Sequence, residues 1–469
     1  MGLKTFSISV AELSKDSYLR NDEKYHSFLS SSDWNLFDSS SKNLIPLKDI
    51  ISDDYTLFDY QEDGEYKGIP TGQTYLDEDG EIREFQPITA EDHPGRLKYK
   101  VSNDNILISS LRLAKSPALF FENEDLSEYV FSNGFYIFKV NAEWNNKFVL
   151  YILRTKKLKN ILDNHIYRGI GISAYKKEDL LKTKIPLIQK PKQDQIVAEI
   201  EPIEKRIKDF KTQITPPQEV INKVFAREFG FNLEKFEELK KIKNYYLDVS
   251  VASQNKDLRN SVVFHQESAQ FVMSELKKIT KSKIKHFIDE PIVLGASISP
   301  TNFDEQGEYY YISMATVKNY CLELDESQLV SSEYAKNNFN KAVNKYDIIM
   351  TRSGVAIGKF ALIEEDVNGI FADFTMRIRL KDYNPYFAYY YFRSEYFQHL
   401  IYSNKKGLQN KNIFPSQIQE FPMIDISLKE QQKIVDEIKA ELDKQEEIKK
   451  KIESERNKID EIIEKAILF

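Results

Sequence analysis

A single cysteine, Cys321, leaves no intramolecular disulfide to staple the fold, and the six histidines are scattered with no CxxC, HxH or HExxH spacing that would hold a structural or catalytic zinc. No stretch approaches the roughly 18 apolar residues needed to cross a bilayer. The opening MGLKTFSISVAELSKDS has neither the basic flank nor the uninterrupted apolar run of an export signal, so a cytoplasmic protein without membrane contact is expected. An excess of positive charge is also missing: 66 Lys and Arg stand against 73 Asp and Glu, a net charge of −7. Any contact with a polyanion must therefore be confined to local patches.

Catalytic signatures are equally scarce. GxSxG is absent, and the repeat described below supports no nuclease cluster of the form Asp, then Glu-x-Lys on an adjacent strand. The run Gly354-Val355-Ala356-Ile357-Gly358-Lys359-Phe360 is one residue short of a phosphate loop, and Phe360 stands where a magnesium-binding hydroxyl is needed. It reads as a tight turn between two strands. Asn384-Pro385-Tyr386-Phe387 approaches the tetrad with which an amino-methyltransferase holds its target amine. A repeat described below aligns it with Trp144-Asn145-Asn146-Lys147, which carries no such motif, so it reads as a strand exit and a helix start with Pro in the first turn.

What is present is a chain of 469 residues, 41% hydrophobic, with 30 Phe and 27 Tyr. That is enough for two or three packed domains and favours mixed α/β modules over a helical rod. Two copies of one module are visible. RGIGISAYKKEDLLKTKIPLI around Gly171 matches KKGLQNKNIFPSQIQEFPMID around Gly407, with equal spacing from Gly to Ile185-Pro186 and to Phe421-Pro422. A helix opening follows each, KQDQIVAEI from Lys192 and EQQKIVDEI from Glu430, with two extra residues in the second copy.

Upstream, Asn105 to Ser109 pairs with Asp347 to Thr351, each a β-prone run followed by an arginine, Arg112 or Arg352. PALFF pairs with KFALI, FSNGFYIFKV with FADFTMRIRL, FVLYILRTKKLKNIL with YFAYYYFRSEYFQHLI, and the openings RNDEKYHSFL and FHQESAQFVM are alike.

Each copy ends in a heptad-spaced helix. Ile196, Ile200, Ile203, Ile207, Phe210 and Ile214 form one seam. Ile434, Ile438, Leu442, Ile448, Ile452, Ile459 and Ile462 or Ile463 form the other. Helices so polar elsewhere are marginal alone, so the two seams are expected to pack on one another. Pro202 is expected to kink the first seam or end a turn. Tyr309-Tyr310-Tyr311 and Tyr389-Tyr390-Tyr391 read as core residues of a strand and a helix, not as stacking platforms for bases.

The fold class that follows is α/β (α+β) modules in tandem repeat, joined by long antiparallel coiled-coil helices. The expected boundaries are 1–185 for the first module, 186–245 for a central helical spacer, 246–425 for the second module and 426–469 for a C-terminal helix.

The order of these segments, with IPLIQKPKQDQIVAEI, FPMIDISLKEQQKIVDEI, RSGVAIGKFAL and KKGLQNKNI, resembles the specificity subunit of type I restriction-modification systems over nearly the whole chain. The first copy departs from the family's pattern at Arg168-Gly169-Ile170-Gly171 and at Leu187-Ile188-Gln189-Lys190-Pro191.

The resemblance implies a non-catalytic DNA-binding protein. Each module would be a target recognition domain reading half of a split duplex site. The helices, on the order of 35 and 60 Å long at 1.5 Å per residue, would set the gap and dock two modification subunits. No cofactor is expected in this chain. S-adenosylmethionine would serve the modification subunit, and ATP and magnesium a restriction subunit where the assembly has one. The competing readings are a self-contained methyltransferase or nuclease with degenerate motifs, and a coiled-coil scaffold.

Phosphate contacts need Lys or Arg at loop tips, and base reading needs Arg, Lys, Asn or Gln that reach a groove edge. The candidates for DNA contact in the glycine- or turn-marked loops are Arg112, Lys115, Arg168, Arg352, Lys359, Lys405, Lys406, Gln409, Asn410 and Lys411.

Overall fold

The computed structural model describes residues 9, 44–71, 75–77, 79–111, 118–162, 176–242, 244, 246, 261–318, 320–325, 327–407 and 411–468. The opening RNDEKYHSFL and the loop around Gly171 lie outside them. Two compact units are present. One is Met1–Gln213 together with Lys449–Phe469, and the other is Ile214–Ile448.

In the first unit the strands used below are β1 (Ile51–Asp53), β2 (Glu65–Ile69), β3 (Asn105–Ser109), β4 (Ala118–Phe120), β5 (Tyr129–Ser132) and β6 (Phe135–Val140). β1, β6, β3 and β4 make a four-stranded antiparallel sheet in that order, with Ile106 opposite Phe138 and Ile108 opposite Tyr136. A five-stranded sheet carries β5 parallel to β2. The short turn between β5 and β6 moves the chain from one sheet to the other.

Alternation along β3 divides the core. Ile106 and Ile108 pack with Phe148, Val149 and Ile152 of the helix Asn146–Arg154, whereas Leu107 packs with Ile69 and Phe131 of the five-stranded sheet.

In the second unit β7 (Val293–Leu294), β8 (Tyr309–Ile312), β9 (Ile348–Thr351), β10 (Phe360–Leu362), β11 (Gly369–Phe371) and β12 (Thr375–Ile378) repeat the plan. The four-stranded order is β7, β12, β9, β10, with Ile348 opposite Ile378 and Met350 opposite Met376. β8 and β11 are parallel neighbours in a second sheet. Ile348 and Met350 face the helices, and Ile349 faces the other way. Tyr309 and Tyr311 pack in one cluster and Tyr310 in another, the alternate faces of a strand, while Tyr389, Tyr390 and Tyr391 are buried in the helix Pro385–Arg393.

The repetition extends to a side-chain clamp. Asn145 caps its helix by accepting from the backbone N of Lys147 and Phe148 at 2.9 and 3.2 Å, and Asn384 caps the other by accepting from Tyr386 and Phe387 at 2.9 and 3.1 Å. Asn384 is thus a helix cap, as the repeat predicts. A buried glutamine stands behind each cap. Gln193 Oε1 accepts from Asn145 N at 2.8 Å while its Nε2 donates to Ile188 O at 2.7 Å. Gln431 does the same for Asn384 N and Ile426 O, both at 2.8 Å.

The helix Lys190–Lys211 contains Pro202, expected to kink it or end a turn, and runs on beyond it. The missing N–H leaves the Ala198 carbonyl without its intrahelical donor. Within the first unit this helix runs antiparallel to the end of the C-terminal helix Leu428–Leu468: Ile196, Val197 and Ile200 share a core with Ile463, while Arg206 reaches Glu455 at 3.0 and 2.7 Å. Within the second unit the helix Pro217–Phe229 opposes the start of the same C-terminal helix. There Thr215 N donates to Gln445 at 2.8 Å and Arg227 is bidentate to Glu437 at 2.6 Å on each side. Gln445 and Glu455 are buried polar residues. A polar group in such a seam fixes register, because any slip would strand it without a partner.

Candidate nucleic-acid interface

At the end of β9 the chain enters a glycine-marked loop that two other segments hold in place. Arg352 N donates to Phe374 O, and Arg352 O accepts from Ile413 N, both at 3.0 Å. Gly354 N donates to Lys411 O at 3.3 Å, and Lys406 and Asn412 exchange backbone bonds of 2.7 Å each. The loop 352–359 therefore lies beside the segment that begins at Lys411, which in turn pairs with Lys406. Gly354, with φ +67°, and Gly407, with φ +113°, take left-handed conformations that side-chain-bearing residues rarely adopt. Thr351 Oγ1 ties the first loop from within, donating to Ala356 O and accepting from Lys359 N at 3.2 Å.

Arg352, Lys405, Lys406 and Lys411 are brought together on these paired segments, with Lys359 where the loop 352–359 returns to β10. Lys359, Lys406 and Lys411 are exposed. The Arg352 guanidinium lies 6.0 Å from the centre of the Phe374 ring, and its Nε donates to Asp373 O at 3.2 Å. Lys405 is half-buried with its ammonium 4.1 Å from the centre of the Tyr402 ring. Burial, and then the charge of Lys411, lower its proton affinity, so an arriving anion would relieve the strain between the two cations. Arg112, Lys115, Arg168, Gln409 and Asn410 lie outside the described residues.

The sheet register shows that the two tips are not chemically equivalent. Ser110 N donates to Gly134 O at 3.0 Å, the bond that Arg352 N makes to Phe374 O. Ser110 thus holds the position of Arg352, and Arg112 stands two residues further on. Phe374, at this tip, is signalled in the sequence by an apolar residue where the other copy has Gly134.

A cavity of about 370 Å³ beside Gly354 and Lys405 is lined by Phe236, His399, Ile401 and Tyr402, among others. Burial first, and then Lys240, depress the His399 imidazole from 6.5 to about 4, with Glu237 opposing; its Nε2 lies 3.1 Å from Ser268 Oγ. At neutral pH His399 is uncharged and adds nothing to the binding of phosphate.

Its folded-state pKa lies below the unfolded value, so its contribution to stability is complete above about pH 6.5 and is lost as the pH falls towards 4. The second unit is expected to lose on the order of 2–3 kcal/mol between pH 7 and pH 4 from this group. Urea denaturation across that range, compared with His399→Gln, checks it, and an equal pH slope in the variant would refute the assignment.

Among the described residues no group of three or more His, Cys, Asp or Glu could hold a metal ion, and no helix is long and apolar enough to cross a membrane.

Residues 277–457 match the model of the type I restriction modification DNA specificity domain. Among curated proteins none matches the chain. Similar solved structures include one described as the structural basis of complex assembly and conformational transition of the type I R-M system, at 14% identity and TM-score 0.44, covering 92% of this chain and 97% of that one. The HsdS subunit from Thermoanaerobacter tengcongensis is similar at 13% identity and TM-score 0.34, with 91% and 96% covered. The type I restriction-modification S subunit from M. genitalium is similar at 13% identity and TM-score 0.36, with 92% and 97% covered.

The matched segment carries the specificity domain, and the first unit repeats its strand order, its helix cap and its buried glutamine. The stretch 277–457 is a DNA specificity domain of the type I restriction-modification family.

Proposed function

We propose that each of the two modules, 1–185 and 246–425, reads one half of a bipartite duplex site, with the segments 186–245 and 426–469 setting the gap between half-sites. The observation that carries this reading is the duplication itself: one framework used twice, with Arg352 and Phe374 at the tip of one copy and Ser110 and Gly134 at the other. Identical frameworks with unlike tips suit two different half-sites.

In the second module Arg352 and Lys411 lead the contacts, with Lys359, Lys405, Lys406, Gln409 and Asn410 beside them. Arg112, Lys115 and Arg168 serve the first. The helices dock two modification subunits, which transfer the methyl group of S-adenosylmethionine. ATP and magnesium belong to a restriction subunit where the host has one. The assembly works in the cytoplasm.

The test is co-expression with the modification subunit and mapping of methylated positions across the genome. A split motif of fixed spacing is expected, and exchanging residues 1–185 for another module should change one half only. A contiguous motif, or a change in both halves, would overturn the proposal. Transfer of labelled methyl groups to DNA by the purified chain alone would restore the methyltransferase reading.

A further inference from the structure

The turn from β11 to β12, Ala372-Asp373-Phe374-Thr375, is held rigidly. Thr375 N donates to Ala372 O at 2.9 Å, and Thr375 Oγ1 donates to the same carbonyl at 2.7 Å. The Asp373 carboxylate accepts from Ser297 Oγ at 3.0 Å, and its carbonyl accepts from Arg352 Nε at 3.2 Å. Every residue of β11 and β12 is buried, yet Phe374 between them is 47% exposed. The turn therefore presents the Phe374 ring to solvent in a fixed place beside the Arg352 guanidinium, where an incoming ligand can meet both.

The corresponding position of the first unit carries no ring. The strand registers place Phe135 where Thr375 stands, and so Gly134 where Phe374 stands. A Cβ on Gly134 would lie 2.6 Å from Thr71 Oγ1, so a side chain there would require Thr71 to move. The second unit thus displays a ring where the first has none, and it does so beside Arg352, whose opposite edge bonds the segment that carries Lys411.

Cations on this face draw a duplex in, and on the major-groove edges of its bases the 5-methyl of thymine is the apolar feature a side chain can meet. We infer that Phe374 is a specificity-determining residue of the second module that packs against a thymine 5-methyl in the major groove, next to the group Arg352 contacts. This inference rests on the half-site reading proposed above.

The test uses the full chain with its modification subunit and duplexes carrying the mapped site. Each thymine of the second half is replaced in turn by deoxyuridine, which removes one methyl and nothing else. At one position the wild-type complex should bind about fourfold more weakly, the worth of one buried methyl. Phe374→Ala should be indifferent to deoxyuridine there while retaining the wild-type response to base changes elsewhere.

The inference fails if no position responds to methyl removal, if the second half contains no thymine, or if Phe374→Ala keeps the response. It also fails if 2-aminopurine at the site reports unstacking that Phe374→Ala abolishes, for the ring would then be a wedge. The wild-type deoxyuridine series needs no variant, so a Phe374→Ala complex that failed to assemble would still leave the inference open to refutation. A split methylation motif without methyl dependence removes this inference alone; absence of any split motif removes the half-site reading with it.

Discussion

Lys211→Met is expected to cost the first unit about 3 kcal/mol, because it removes the cation paired with the buried Asp77 carboxylate. Lys211 closes the helix Lys190–Lys211, and its Nζ lies 2.6 Å from Asp77, 2.5 Å from Asp79 and 3.1 Å from Glu81. The Asp77 side chain is only 5% exposed and that of Lys211 19%. Arg456 of the C-terminal helix grips Asp79 as well, at 3.0 and 2.7 Å. Two helices are thereby locked to one hairpin, that of the Leu76–Ile82 bridge, which follows β2 of the five-stranded sheet.

Burial alone would raise the Asp79 carboxyl, but the hydrogen bonds from Arg456 and Lys211 overcome it and hold it at about 2. Its folded value lies below the unfolded one, so the stabilisation is present above about pH 3.8 and disappears as the pH falls through 2. Urea denaturation at pH 7 should show a lowered midpoint for Lys211→Met. In a double-mutant cycle with Asp77→Asn the two losses should not add, since they remove one interaction. Simple additivity would show that the lock is not an energetic unit. The exposed pair Lys223–Glu219, at 2.7 Å, is the control, and Lys223→Met should shift stability by less than about 0.5 kcal/mol.

Such a lock could not be read from the sequence, since Lys211 and Asp77 are 134 positions apart and neither belongs to a motif. The periodic features were legible. Strand pairs such as Ile106 with Phe138 and Ile348 with Ile378 fall in the repeated segments, and the Asn384 cap follows from the alignment with Asn145. Seam isoleucines such as Ile196, Ile200 and Ile463 are buried because apolar residues at helical spacing have one face on which to hide. Gln193 and Gln431, by contrast, stand in charged runs that look like solvated helix starts. Their value lies in backbone groups of distant segments, to which sequence periodicity is blind. The pairing of Phe374 with Gly134 is in the repeat itself, but that its ring is exposed beside Arg352 is not.

Replacing Arg352, Lys406 and Lys411 together by alanine is expected to weaken binding of the specific duplex by more than about 100-fold at moderate salt. The single variants should separate two kinds of contact. Lys406 and Lys411 sit on the segments paired beside Gly354, where an ammonium meets phosphate as a point charge. Each alanine there should weaken all duplexes alike and reduce the slope of log affinity against log salt by about 0.9.

Arg352 differs because its main chain bridges two segments and its Nε is spent on Asp373 O, so the guanidinium plane is fixed before DNA arrives. A preorganised fork loses little freedom on binding and can discriminate between bases. Arg352→Ala should therefore cost about 1–3 kcal/mol on the cognate duplex, relax selectivity at one base pair of the second half-site, and leave the first half unchanged. Anisotropy titrations with single-substitution duplexes at several salt concentrations separate the outcomes. If Arg352→Ala weakened cognate and non-cognate duplexes equally, Arg352 would be one more phosphate anchor, and base reading would have to come from other residues of the second module.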